Sequence, residues 1–151
     1  MSMVYVQHRE LCIESERGEG RHADWSRTNE FIVEGVTLDT KNRWGYDAIQ
    51  IAPAVLEGDR IWVLWVTYRS GDSFGSETGK GEIIWAFTDP KVADNALVAL
   101  EKRGGKVNSF DFVDEDGEEL HLSNPANDYF SRVEGFHLQA FTVGECPGSR
   151  Y

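Results

Sequence analysis

RIWVLWVTYRSGDSFGSETGKGEIIWAFTD, residues 60 to 89, is the stretch whose reading decides the fold. Residues 60 to 68 are apolar on both sides of an extended chain: Ile61, Val63 and Trp65 face one way and Trp62, Leu64, Val66 and Tyr68 the other, because successive side chains of a strand alternate. A strand with no polar face needs cover on both sides. Residues 81 to 89, GEIIWAFTD, have the same character. The two are expected as adjacent strands at the centre of a sheet, and YRSGDSFGSETGKGE (68–82) as their connection.

That connection invites three readings. A nucleoside-phosphate cradle needs four residues between its first glycine and the Gly-Lys, then Ser or Thr, then a helix. Here Gly75 and Gly79-Lys80 have three residues between them, Gly81 follows, and a strand comes next. Gly71-Asp72-Ser73 puts a serine on a glycine turn, where Ser73 is a candidate nucleophile if a base such as His121 converges on it. The triplet resembles the start of GDSL-type esterases, with Glu118 and His121 an approximate counterpart of their Asp-x-x-His. Those enzymes carry the motif near the N-terminus of a doubly wound α/β domain, whereas here it lies mid-chain between strands. The third reading is a flexible ribbon, longer than the two to five residues a hairpin uses, with Asp72, Phe74 and Lys80 as contacts for a partner.

Outward from this stretch, Asp89-Pro90 starts a helix: the carboxylate caps the first turn and proline lacks the N–H that would go unpaired. Val92, Ala93, Ala96, Leu97 and Leu100 keep helical spacing, and Gly104-Gly105 ends it. Further strands are expected at 3–13, 31–39, 46–52 and 133–143, with a hairpin of 109–113 and 118–122 around DEDG. ESERGEGRHADWSRTNE (14–30) has no periodicity and reads as a long polar loop, and NPANDYFSR (124–132) as a helical turn. The expected fold is a single α+β domain: a mostly antiparallel sheet of about eight strands with one main helix, about 90–103, packed on it.

The 151 residues carry 15 Lys+Arg against 26 Asp+Glu, a net charge of -11. Such a chain is repelled by nucleic-acid phosphates and anionic lipid, so neither is an expected partner; a protein with a basic surface is. Asp111, Asp114, Glu115, Asp116, Glu118 and Glu119 form the densest acidic cluster. They miss the calcium-loop pattern, which would place Phe112 and Ser123 at ligand positions. Held at fixed spacing, they could imitate phosphates for a basic surface. His8, Glu10, Cys12 and Glu14 alternate along one strand, but same-face neighbours lie about 6.6 Å apart, too far to share one ion without bending. Trp62, Trp65 and Trp85 belong to the core; Trp25 and Trp44, in polar surroundings, are candidate partner anchors. Cys12 and Cys146 make no disulfide framework or zinc pattern, no cofactor is called for, and the N-terminus lacks a signal-peptide pattern, so a cytoplasmic protein is expected. The sequence does not set the oligomeric state.

Residues 68 to 97, with apolar strand, YxxGDSFG, glycine-rich turn, apolar strand and Asp-Pro-started helix, resemble small uncharacterised proteins of bacteriophages and mobile elements. The resemblance implies a phage accessory protein and carries no activity with it. The expected function is a non-enzymatic acidic binding protein, phage-encoded, that inhibits or modulates a host protein of defence or nucleic-acid handling. The alternatives are a small hydrolase or nucleotide-processing enzyme using the Gly-Asp-Ser segment, and an immunity or antitoxin protein that neutralises a basic toxin.

Overall fold

A computed structural model describes residues 2–17, 25–39, 45–72, 75–103, 109–113, 119–123 and 131–145. Six strands form one sheet: β1 (Ser2–Arg17), β2 (Trp25–Thr37), β3 (Tyr46–Ile51), β4 (Arg60–Asp72), β5 (Gly75–Phe87) and β8 (Ser131–Thr142), in the order β3-β1-β2-β5-β4-β8. β6 (Ser109–Val113) and β7 (Glu119–Ser123) form a separate two-stranded ladder, and α1 (Pro90–Arg103) is the one helix among the described residues. The α+β class and the helix agree with the sequence. The expectation of about eight strands in one mostly antiparallel sheet is corrected in number to six, and the sheet is mixed because β2 and β5 run parallel while its other pairings are antiparallel.

β4 is buried on both faces, as its residues require. Ile61, Val63 and Trp65 join Val4, Val6, Val36 and Ile49 in a core between the β3-β1-β2 half of the sheet and the β5-β4-β8 half. Leu64, Val66 and Tyr68 join Ala93, Ala96 and Leu100 in a second core beneath α1. The two alanines let α1 lie close to the strands. Its start is capped as expected, with Lys91 N donating to Asp89 Oδ1 at 2.9 Å. β4 is not central, however: it stands next to the edge strand β8, and β2 and β5 occupy the middle.

The sheet folds onto itself because β2 stays with β5 only briefly. Trp25–Thr28 pair with Gly75–Thr78, and Asn29 Nδ2 extends the junction by donating to Thr78 O at 3.2 Å and Glu77 Oε2 at 3.3 Å. Phe31 then rests its ring on Gly81, where a Cβ would collide with it. Further on, β2 ends beside β8, with Gly144 N donating to Val36 O at 2.8 Å. β2 thus passes from β5 to the far end of β8.

Two expected loops are corrected. The 14–30 segment is largely strand, since Glu14, Ser15, Glu16 and Arg17 pair with Thr28, Arg27, Ser26 and Trp25. The glycine-rich stretch is not a long loop but the paired ends of β4 and β5. Ser70, Gly71 and Asp72 pair with Glu77, Ser76 and Gly75, so only residues 73 and 74 separate the strands. Polar arms of this kind lie beyond the core and are held by backbone ladders, so hydrophobic alternation does not reveal them. The helical turn expected at 124–132 begins outside the described residues, and Ser131 and Arg132 already belong to β8.

Candidate functional site

Two bulges with the same local sequence set up the surface. In β2, Gln7 pairs with Gly35 and His8 with Val33, which leaves Glu34 as the extra residue. In β8, Thr67 pairs with Gly135 and Tyr68 with Val133, which leaves Glu134. Both are Val-Glu-Gly, and a bulge turns the extra side chain out of the strand's alternation. Glu134 finds a donor, accepting from Gly79 N at 2.9 Å. Glu34 does not: its side chain is only 8% exposed, Arg9 Nε stands 3.6 Å from Oε1, and Oε2 is buried with no hydrogen-bond partner. A contact of 3.6 Å is an ion pair without a hydrogen bond, and the buried Oε2 has neither, which costs free energy.

Glu34 lines a cleft of about 470 Å³ between β2 and β8, bordered by Arg9, residues 32–34, Arg60, residues 139–142 and Glu145. The volume lies within the range of roughly 300–1,000 Å³ usual for binding sites. Ile32, Val33, Ala140 and Phe141 give it an apolar wall, and Arg60 and Glu145 are exposed beside it with no side-chain partner among the described residues. An apolar wall around one under-satisfied carboxylate suits a ligand group that has a hydrocarbon stem and N–H donors.

Two histidines have described side chains, His8 on β1 and His137 on the edge strand β8. His8 is 3.6 Å from Asp47 Oδ1 by its Nε2, packs against Phe31 with ring centroids 5.2 Å apart, and has no hydrogen bond to that nitrogen. His137 stacks on Trp65 at 5.5 Å, and its Nε2 is 2.8 Å from Thr67 Oγ1, which also lies 3.4 Å from Gly135 O. The residue keeps an exposed edge, but the side against buried Trp65 is withdrawn from water, and that burial lowers its pKa. A neutral ring can accept from the Thr67 hydroxyl. No ion pair reaches His137 among the described residues, so this pair lacks the acid that would orient a base.

Of the candidate catalytic and partner-contact residues, only Lys80 has a described side chain, and it is not in the cleft: its Nζ sits 5.9 Å over the Tyr68 ring, a contact worth about 0.5–1 kcal/mol at an exposed position. Ser73, Phe74, Trp44, Asp114, Glu115, Asp116 and Glu118 lie outside the described residues. The backbones of Asp72, Trp25 and His121 are placed at the end of β4, the start of β2 and in β7; their side chains are not described. Among the described residues, no three His, Cys, Asp or Glu are grouped to hold a metal ion, and no helix is long and apolar enough to cross a membrane. Sequence reasoning missed Glu34. The signal for it was Glu-Gly inside the otherwise apolar FIVEGV, since glycine within a strand marks a bulge.

Comparison with protein-family models, with curated proteins and with solved structures finds no match to this chain.

Proposed function

We propose that the chain is a non-enzymatic acidic binding protein that engages a basic surface of another protein and modulates it. The observation that carries this reading is Glu34: a carboxylate almost wholly buried, with one oxygen unpartnered, on the wall of an open cleft. A protein that leaves one oxygen of such a group without an internal donor is suited to receive one from outside. The net charge of -11 supplies the long-range part, drawing a basic partner and repelling nucleic acid. The resemblance of residues 68–97 to phage and mobile-element proteins supports a phage-encoded modulator of a host protein, with defence or nucleic-acid-handling machinery as the target class, since such proteins present basic surfaces.

Affinity capture with mass spectrometry, run at low and at physiological ionic strength, tests the reading. A basic partner whose capture weakens with salt is expected; partners that are neutral or acidic, or capture indifferent to salt, would refute it. The acidic segment 114–116 is a second contact candidate, and reversing its charges separates its contribution from that of the cleft. Turnover lost in Ser73→Ala or His121→Ala with folding intact would favour a hydrolase instead.

A further inference from the structure

The residues that line the cleft are consecutive, 32 to 34 in β2 and 139 to 142 in β8. Consecutive side chains of a strand point to opposite faces. A run of them along one cleft therefore means that the cleft follows strand edges rather than a sheet face. The ladders agree. β8 pairs only with β4 among the described strands, and β2 pairs with β5 only through Thr28, so the outer edge of β8 at residues 138–142 and the later edge of β2 have no ladder partner among the described residues. They converge where Gly144 N meets Val36 O, which closes one end.

Natural edge strands are usually guarded by lysine, proline or an inward charge. Leu138, Gln139, Ala140, Phe141 and Thr142 contain none of these. The buried charge stands instead across the cleft, at Glu34, with Arg9 against its Oε1 and with Arg60 and Glu145 exposed at the border.

We infer that this slot receives an extended segment of the partner protein, which adds a strand to the free edge of β8 and places a Lys or Arg side chain on Glu34. Main-chain hydrogen bonds along the edge would hold the segment, and side-chain pockets would select it, as in other strand-addition complexes. The stem of the basic residue would lie on Ile32 and Phe141 while its N–H groups meet the unpartnered Oε2. A second copy of the chain is disfavoured as the occupant, because two bodies of charge -11 repel. The inference rests on the binding reading above and specifies its geometry.

Its test is an NMR titration of the full chain with acetylated, amidated pentapeptides, Thr-Val-Arg-Val-Thr and its central-Lys and central-Glu counterparts. The Arg and Lys peptides should shift the amides of residues 139–142 and slow their hydrogen exchange, with the Glu peptide bound at least about tenfold more weakly, the discrimination expected of one charge-assisted contact. Glu34→Gln should bring the three peptides to nearly equal affinity, with an unchanged exchange pattern elsewhere showing that it folds. Should it not fold, the wild-type preference for Arg over Glu must still shrink with added salt. The inference is overturned if no peptide reaches residues 139–142, if the Arg preference survives Glu34→Gln or is indifferent to salt, or if β8 is protected only by concentration-dependent dimerisation. Failed peptides beside salt-sensitive capture of a basic partner would discard strand addition alone. Capture without basic partners would discard the reading beneath it.

Discussion

Replacing Gly79 with alanine should cost about 3 kcal/mol, roughly three times the cost of the same change at Gly58, although both glycines have positive φ. Gly79 has φ 72° and lies where residues 78 and 79 of β5 oppose Arg69 alone; a Cβ there would run into the Asn29 carbonyl. Gly58 has φ 90° and nothing within 4 Å of the added carbon. The conformational penalty, about 1 kcal/mol, is common to both. At Gly79 the backbone of β2 must also move away, and the two hydrogen bonds from Asn29 to Thr78 and Glu77 are strained or lost, at about 1 kcal/mol each. Thermal unfolding at this chain length should then show a fall of about 6–12 °C for Gly79→Ala against about 2–4 °C for Gly58→Ala. Urea unfolding supplies the free energies directly. Equal costs at the two positions would mean that β2 does not lie against β5 at Asn29, and the path of β2 towards β8, which forms the cleft, would be wrong.

Four further substitutions test the same geometry. Glu34→Met should raise stability by about 1 kcal/mol in urea unfolding, because removing an under-satisfied buried carboxylate outweighs one long ion pair; Glu134→Met, at the matching bulge, should lower it by about 1 kcal/mol through loss of the acceptor for Gly79 N. Leu100→Ala empties the core beneath α1, where Leu100 is 2% exposed, and should cost about 2–5 kcal/mol by the same measurement. Burial against Trp65 holds the His137 pKa below its ordinary value of 6.5. As pH falls, the unfolded chain therefore takes up that proton first, so the stability contributed by the neutral ring is full above about pH 6.5 and is lost below it. The midpoint difference between wild type and His137→Asn should shrink between about pH 7.5 and about pH 5.5, and a constant difference would contradict the assignment.

What the sequence reveals of this fold is what hydrophobic alternation and capping can report. The two-faced pattern from Ile61 to Tyr68 placed β4 between two cores, and Asp89-Pro90 placed the start of α1. Neither signal reaches the polar arms. Glu14 to Arg17 and Gly75 to Gly81 form strands because backbone ladders hold them, and a chain of Gly, Ser, Thr and Glu looks the same in a ladder as in a loop. The parallel contact of Trp25–Thr28 with Gly75–Thr78 joins segments distant in sequence, so no local pattern announces it. Charge density likewise points to 111–119 and a short motif to the Gly-Asp-Ser segment, whereas the charge that stands out in the structure is a single glutamate in an apolar run. Glu34 and Glu134 share the sequence Val-Glu-Gly and the bulge, yet only Glu134 meets an internal donor, a difference set by which strand passes nearby.

The central claim is that Glu34 is kept for a basic group of a partner. Calorimetric titration of wild type and Glu34→Gln with the captured partner, at physiological ionic strength, tests it most directly. A loss of about tenfold or more in affinity, with the variant no less stable than wild type, is the predicted result; equal affinities would contradict the claim.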